Sequence, residues 1–315
     1  MRVLIVQTSS LQGVVHALPV VSDLRREFPK LAIDCCVEEA FAAIVRLHPA
    51  VDRILPIATQ RWRRQLFSAK TWREMRDFRR ALKAADYDAV LDLHGTFFSA
   101  LLARQFCGPT CGYDLAAAQN PRAARFYDAA FLIPKNVNAV ERKRWLAAAA
   151  IELPLETPLD YGISAAPLSA DWLPAQAYVV FLPALSQHWP EACWIELGQS
   201  LQKQGNAIVL ITESEEERAR AVSIAAAIPD AIIAPPLGAE ARAGLLAGAV
   251  GSIGENNDLA HLAAALGCPV VNILATDEPE FKGILGTAPF RNLGGQGTIP
   301  QVAAVLKAFL TCRRQ

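Results

Sequence analysis

The chain has 315 residues, of which 52% are hydrophobic and 20% are charged, and its formal net charge at pH 7 is zero. This length predicts about two domains, and the composition supplies enough apolar side chains for packed cores, which excludes a largely disordered protein. Zero net charge argues against nucleic acid as a partner, because nonspecific binding to phosphates needs an excess of basic residues.

The amino-terminal sequence MRVLIVQTSS is too short in apolar residues for a signal peptide, and no segment approaches the ~20 apolar residues of a membrane-spanning helix. We therefore expect a cytoplasmic protein. Seven cysteines, an odd and scattered number, are typical of reduced thiols in that compartment. Cys107 and Cys111 form a C-x3-C pair without a second pair or a histidine cluster, so no metal site is expected.

Short apolar runs bounded by turn residues alternate along the chain with segments of helical periodicity. The predicted strands are Val3–Val6, Ile33–Val37, Arg53–Ile57, Ala89–Leu93, Tyr178–Leu182, Ala207–Ile211, Ala231–Ala234, Ala249–Ile253 and Val270–Ile273. The predicted helices are Val15–Glu27, Lys70–Ala85, Pro190–Gln204, Glu215–Ala227, Ala239–Ala247, Leu259–Leu266 and Pro300–Thr311. This alternation predicts an α/β protein with parallel sheets of βαβ units, and it begins a second time at Tyr178.

The segment Leu153–Ala177 is rich in proline and lacks periodicity, so it predicts a connection between domains. We place the boundary near residue 170, with domains at 1–170 and 171–315. Two Rossmann-like domains of this kind bind ligands at the carboxyl ends of their strands, and we expect these ends to face a central cleft. The last predicted helix could pack on either domain.

The loop Thr8–His16 leaves the first predicted strand and enters a helix. Its backbone N–H groups and the hydroxyls of Ser9 and Ser10 suit a polar ligand, although serine caps on an ordinary turn are the alternative. His16 falls inside the predicted helix, where a packed histidine is the alternative to a functional one.

Two clusters of basic residues follow. Arg61, Arg63 and Arg64 present forked donors that suit carboxylates, phosphates or an anionic membrane surface, and a solvated helix face is the alternative. The run Val140–Arg144 predicts charge on an exposed helix.

Polar loops also follow the strands of the second half. The loop Pro183–Pro190 precedes a helix with a normal amino-terminal signal. Glu213–Glu217 could place a carboxylate on ribose hydroxyls, or could stabilise a helix amino terminus. Asn256, Asn257 and Asp258 are capping residues by type, and a helix start of this kind can also hold a diphosphate.

Several segments together carry a resemblance that extends in order over nearly the whole chain. They are VLIVQTSSLQGVVHALPVVSDLRREFP, VEEAF, RWRRQLFSAKTWRE, YDAVLDLHG, NAVER, HWPEACWIELG, EEERA and LAHLAAALGCPVV. The chain resembles the lipopolysaccharide heptosyltransferases I of glycosyltransferase family 9. The resemblance implies a GT-B fold and metal-independent, inverting transfer of heptose from ADP-heptose to the Kdo sugar of Kdo2-lipid A.

The resemblance also implies roles for particular residues and partners. The acceptor, an anionic lipid-linked sugar, would lie against Ser9, Ser10, Arg61, Arg63 and Arg64 of the first domain. The nucleotide would lie against residues of the second domain, namely Ser186, Gln187, Glu215 (ribose), Leu237 (adenine), Asn256, Asn257 and Asp258. No cofactor or metal is implied besides the nucleotide-sugar co-substrate, and the lipid acceptor implies peripheral contact with the inner face of the inner membrane.

Three loops depart from the family pattern. Gln12-Gly13 replaces the family's Gly-Asp, whose aspartate is the general base, and Gly13 has no side chain to take a proton. Gln187 replaces a lysine that faces the diphosphate. Asn256-Asn257-Asp258 replaces Asp-Thr-Gly and adds a carboxylate where a diphosphate would depart.

These departures leave three hypotheses open. The first is an active transferase in which His16, Glu39 or Asp258 serves as the base. The second is a noncatalytic GT-B homologue that binds a glycan, a nucleotide or a protein partner. The third is a transferase of another nucleotide sugar.

Overall fold

The computed structural model describes residues 1–65, 67–83, 85–154, 157–185, 189–275 and 278–314, without the side chains of residues 60, 63 and 81. The chain divides into two compact units, Met1–Ile163 and Ser164–Gln315. Each unit contains one six-stranded parallel sheet with helices, which confirms the predicted α/β class and its two Rossmann-like halves.

The first unit has the strand order β3-β2-β1-β4-β5-β6. Its strands are β1 (Arg2–Gln7), β2 (Ala32–Glu38), β3 (Arg53–Ile57), β4 (Ala89–Asp92), β5 (Thr110–Tyr113) and β6 (Ala129–Phe131). Its helices are α1 (Leu11–Val15), α2 (Leu18–Glu27), α3 (Ala42–Arg46), α4 (Thr59–Arg64), α5 (Ala69–Leu82), α6 (Phe97–Ala103) and α7 (Ala139–Ile151), with short 3-10 turns at Glu39–Phe41 and Pro121–Phe126.

Side chains of the central strand alternate between two apolar layers. Val3 and Ile5 pack into the core beneath one helix layer, and Leu4 and Val6 pack into the core on the opposite face. This is the two-residue period of a strand, and burial on both faces explains why β1 is apolar at consecutive positions.

The second unit repeats this arrangement, with the order β12-β11-β10-β7-β8-β9. Its strands are β7 (Tyr178–Leu182), β8 (Ala207–Leu210), β9 (Ile232–Ile233), β10 (Gly251–Gly254), β11 (Val270–Leu274) and β12 (Phe290–Gly294). Its helices are α8 (Glu191–Gln202), α9 (Glu215–Ala226), α10 (Ala239–Gly248), α11 (Asp258–Ala265), α12 (Pro279–Lys282) and α13 (Val302–Arg314).

Some predicted elements differ from the structure. The strands β5, β6 and β12 were not predicted, because their sequences TCGY, AAF and FRNLG contain no run of branched apolar residues. The predicted helix Val15–Glu27 is instead two helices, α1 and α2. His16 lies between them as the carboxyl cap of α1, so its predicted place inside a helix is wrong.

The proline-rich connection contacts both units in turn. Gly162, with φ +65°, packs closely against His48 of the first unit, and Leu168 donates its backbone N–H to Gly244 of the second. The boundary between the compact units therefore falls at residue 163, earlier than the predicted residue 170. The last helix, α13, packs on the second unit, where Phe309 is fully buried in the core.

Among the helices of the described ranges, none is both long enough and apolar enough to cross a bilayer.

Candidate functional site

Parallel strands bring predicted acceptor-binding residues and the base candidate Glu39 to one edge of the first sheet. Ser9 and Ser10 follow β1, Glu39 follows β2, and Arg61 and Arg64 follow β3. These strands are neighbours in the order β3-β2-β1-β4, so their carboxyl ends lie side by side. The order reverses between β1 and β4, which is where ligands bind in open parallel sheets.

The loop after β1 is a hydrogen-bonded entry to α1. Ser10 caps the helix by accepting the backbone N–H of Gly13 at 3.4 Å. The Thr8 hydroxyl lies 3.2 Å from Nδ1 of His94, which follows β4. Burial, together with the charge of Lys143, lowers the pKa of His94 to about 4, so its ring is neutral at pH 7. Sequence reasoning missed His94, although its place directly after a predicted strand is a usable signal.

Gly13 faces a crowded space. A Cβ at this position would stand 1.8 Å from Oγ of Ser9 and 2.8 Å from Nε2 of Gln7. Any side chain at position 13, including the aspartate of the family, therefore requires Ser9 to rotate.

The basic run on α7 is not an exposed helix face, and that prediction is wrong. Lys143 is 7% exposed, and Nζ donates to Oε1 of Gln7 and to the backbone oxygen of Leu93, both at 2.7 Å. Arg144 donates to both carboxylate oxygens of Asp23, at 2.7 and 3.0 Å. These two side chains attach α7 to the sheet edge and to α2.

The Arg61 side chain is held by two carboxylates. It donates to both oxygens of Glu39 at 2.8 and 2.9 Å, and to Glu74 at 2.7 Å. These hydrogen bonds from Arg61 hold the pKa of Glu39 below its usual range, which makes Glu39 a weaker base. Arg61 and Arg64 line a cavity of about 390 Å³ together with Glu38 and Glu39.

The second sheet likewise gathers the predicted nucleotide residues at one edge. Glu215 follows β8, Leu237 follows β9, and the segment Asn256–Asp258 follows β10. Glu215 is exposed in the first turn of α9, and Leu237 is half-buried. The remaining two nucleotide-binding predictions, Ser186 and Gln187, follow β7 but lie outside the described residues, as does the side chain of Arg63.

The segment after β10 is fixed by amide side chains. Asn257 caps α11 by accepting the N–H of Ala260 at 3.0 Å. Asn256 adopts φ +42°, and its amide oxygen accepts from Nδ2 of Asn272 at 3.1 Å. Asn272 in turn donates to Asn292 of β12, so these amide side chains join β11 to β12 and to the segment that follows β10. The capping interpretation is confirmed for Asn257, whereas Asn256 bonds to Asn272, and a diphosphate role of this segment stays a prediction.

A buried ion pair, which the sequence did not reveal, anchors the loop after β7. Glu255 is fully buried and accepts the backbone N–H of Ala184 at 2.8 Å and of Trp189 at 2.5 Å. Arg220 of α9 donates to the same carboxylate at 2.7 Å. Burial raises the pKa of Glu255, while Arg220 and the two N–H groups oppose the increase.

The three predicted base candidates occupy different surroundings. His16 is 6% exposed. Glu39 is paired with Arg61, as described above. Asp258 lies in the first turn of α11. Partial burial is the main cause that raises the pKa of Glu213, and the negative charge of Asp258 raises it further. The role of base stays a prediction for each of them.

All seven cysteines have free thiols. Within the described part of the chain, no three histidine, cysteine, aspartate or glutamate side chains are grouped as metal ligands.

Comparison with known proteins identifies the family. The model of glycosyltransferase family 9 (heptosyltransferase) matches residues 75–303. Lipopolysaccharide heptosyltransferase 1 of Pseudomonas aeruginosa is 41% identical over 91% of this chain and 82% of its own length, and that of Salmonella typhimurium is 38% identical over 91% and 92%.

Solved structures agree over both units. The structure of Escherichia coli heptosyltransferase WaaC with ADP has a TM-score of 0.87 at 35% identity and covers 99% of this chain and 100% of its own. The same enzyme with ADP-2-deoxy-2-fluoro heptose has a TM-score of 0.83 over 99% of each chain. These matches confirm the GT-B class of the two sheets, and the chain belongs to glycosyltransferase family 9, the heptosyltransferases.

Proposed function

We propose that this protein transfers heptose from ADP-heptose to an anionic, lipid-linked Kdo acceptor in the synthesis of the lipopolysaccharide inner core. The observation that carries the proposal is 41% identity to a lipopolysaccharide heptosyltransferase 1 over 91% of the chain. The first unit, through Ser9, Ser10, Arg61, Arg63 and Arg64, would bind the acceptor. The second unit would bind the nucleotide sugar.

Two cavities on α4 support a lipid-linked anion as acceptor. One is the cavity of about 390 Å³ that Arg61 and Arg64 line together with Glu38 and Glu39, and there the guanidinium group of Arg64 can donate to an acidic head group. The other, of about 220 Å³, lies between α4, α5 and α6 and is mainly apolar, with Trp62, Phe78 and Leu101 in its wall. A ligand with a charged head and an apolar chain would match both.

The reaction is a displacement at the anomeric carbon. A hydroxyl oxygen of the acceptor forms a bond to that carbon, the bond to the diphosphate oxygen breaks, and ADP leaves with the electron pair. The acceptor proton must pass to a base, and general-base help is worth roughly 10²–10⁴ in rate. Because Gly13 has no carboxylate, we propose that the chain transfers heptose more slowly than its relatives.

The test is an assay with ADP-heptose and Kdo2-lipid A that measures both ADP release and the mass of the product. We expect heptosylated product at a rate about 10²–10⁴ below that of the Escherichia coli enzyme assayed in parallel. The variant Gly13→Asp/Gln187→Lys should have a higher kcat than the parent at saturating acceptor, and both changes are needed because groups acting on one transition state are not additive.

Other outcomes would contradict the proposal. Product formed only with a different nucleotide sugar would identify another transferase. Calorimetric titration that shows binding of neither ADP nor ADP-heptose would indicate a noncatalytic homologue. A parent as fast as the Escherichia coli enzyme would show that another group has replaced the missing carboxylate.

A further inference from the structure

Lys143 begins a chain of three polar side chains at the carboxyl edge of the first sheet. Its Nζ donates to Oε1 of Gln7 at 2.7 Å, and Nε2 of Gln7 donates to Oγ of Ser9 at 2.5 Å. Gln7 is 1% exposed and Lys143 is 7% exposed, whereas Ser9 is partly exposed. The chain thus connects a buried charge to a loop that a ligand can reach.

The chemistry of these groups allows one orientation. When Lys143 carries its proton, its ammonium group only donates, so the amide oxygen of Gln7 must face Lys143, as the hydrogen bond at 2.7 Å shows. The amide nitrogen then faces Ser9, and it also only donates, so Oγ of Ser9 is the acceptor in that bond. The Ser9 hydroxyl proton is therefore turned away from Gln7 and is available to an oxygen elsewhere.

Gly13 is part of the same arrangement. A Cβ at position 13 would stand 1.8 Å from Oγ of Ser9, so Ser9 can keep its bond to Gln7 only while position 13 is glycine. The absence of the family aspartate and the orientation of Ser9 are thus two aspects of one packing arrangement.

We propose that Lys143 is a positioning residue that, through Gln7, fixes the Ser9 hydroxyl as a hydrogen-bond donor to an anionic oxygen of the acceptor. The positive charges of Lys143 and the adjoining Arg142 favour an anion at this edge. The inference rests on the proposed function, because it takes the acceptor side of the reaction from there.

The decisive variant is Gln7→Glu. A glutamate accepts from Lys143 as the glutamine does, but it offers no donor to Ser9, so the hydroxyl turns toward position 7. We expect the KM for the acceptor to rise about tenfold, the equivalent of one lost hydrogen bond, with kcat and the KM for ADP-heptose nearly unchanged. Lys143→Met and Gly13→Ala should raise the acceptor KM in the same direction, and the matched control Lys135→Met, on an exposed lysine, should not.

The effect must act through Ser9. In a Ser9→Ala background, Gln7→Glu and Lys143→Met should cause no further rise in the acceptor KM. A rise that persists in this background would overturn the proposal, because it would show a general structural role. Two modified acceptors identify the anion: one has a methyl-esterified sugar carboxylate, and the other lacks the lipid phosphates. Gln7→Glu should no longer raise the KM for the acceptor that lacks the group contacted by Ser9.

A measurement without ligand separates this inference from the proposed function. If Lys143 and Ser9 are coupled through Gln7, the shift of the urea midpoint caused by Lys143→Met should fall by roughly half in the Ser9→Ala background. Equal shifts in both backgrounds would refute the chain of three side chains. A parent without transferase activity would refute the proposed function, and the urea experiment would still decide whether the chain exists.

Discussion

The buried lysine Lys143 contributes to the pH dependence of stability in the first unit. Burial lowers the pKa of Lys143 from 10.5 to about 7, against the attraction of Asp92. In the unfolded chain the same lysine keeps its proton up to about pH 10.5. Between these two values the unfolded state binds more protons, so this residue makes stability rise with pH across that window, and its destabilising effect is complete below pH 7.

The prediction concerns the difference in unfolding free energy between the parent and Lys143→Met. From pH 7 to pH 9 this difference should move by about 2 kcal/mol in favour of the parent, since each pH unit corresponds to about 1.4 kcal/mol. Urea denaturation at the two pH values measures it, with Lys135→Met as control. A difference that stays constant between pH 7 and pH 9 would show that Lys143 titrates normally.

The burial of Lys143 could have been predicted from the sequence, whereas the buried ion pair of Glu255 could not. Val140 and Ala147 are buried core positions of α7, and Lys143 lies between them at helical spacing, on the same face. The charges on both sides of Lys143 obscured this pattern. Glu255, by contrast, pairs with Arg220 across 35 positions, and no local pattern encodes such a contact.

At the scale of elements, strand position was predictable where strands contain runs of apolar residues. All nine predicted strands exist, including the edge strands β3 and β9, because each contains isoleucine, leucine or valine residues that favour strands. The edge strand β12, Phe290–Gly294, is polar and half-exposed, and Asn292 uses its side chain to fix the neighbouring segment at Ile284. The position of such a strand is determined by its pairing with the neighbouring strand, and its own sequence does not indicate it.

The loop after β7 depends on the Glu255 carboxylate, which gives a prediction for this element. In Glu255→Gln an amide nitrogen replaces one carboxylate oxygen. This nitrogen is itself a donor and must face the N–H donors of Trp189, Ala184 or Arg220, so hydrogen bonds are lost and the unfolding free energy should fall by about 3 kcal/mol. The affinity for ADP should fall as well, because the loop loses its anchor. Urea denaturation and calorimetric titration with ADP measure the two effects, and Glu240→Gln on the exposed face of α10 is the control. Unchanged stability would show that the pair is dispensable.

At the scale of the whole molecule, the net charge is zero, but basic and acidic residues are distributed unevenly along the chain. Residues 59–83 contain nine basic and two acidic side chains, a net charge of +7, so the rest of this neutral chain carries −7. The basic side chains of α5 are exposed, as are Trp72 (57%) and Phe67, whose side chain is fully exposed. Exposed aromatic rings among basic residues are typical of proteins that dock on anionic bilayers.

We predict that this segment binds the protein to anionic membranes, where the proposed lipid-linked acceptor would lie. Vesicles with 30% phosphatidylglycerol, on the order of natural anionic content, should sediment the parent, and 0.5 M salt should release most of it by screening. The variant Phe67→Ser/Trp72→Ser should sediment less, and Leu132→Ser, an exposed leucine outside the segment, should behave like the parent. Equal sedimentation with purely zwitterionic vesicles would contradict an electrostatic docking surface.

The place of α13 has a consequence for the evolution of such enzymes. Because this last helix packs on the second sheet, every element of each unit comes from one uninterrupted stretch of the gene. A single recombination event at the codons around residue 163 would therefore exchange one entire Rossmann-like fold and leave both apolar cores intact. Chimaeras joined there offer a direct way to combine the first unit of this protein with the second unit of a relative.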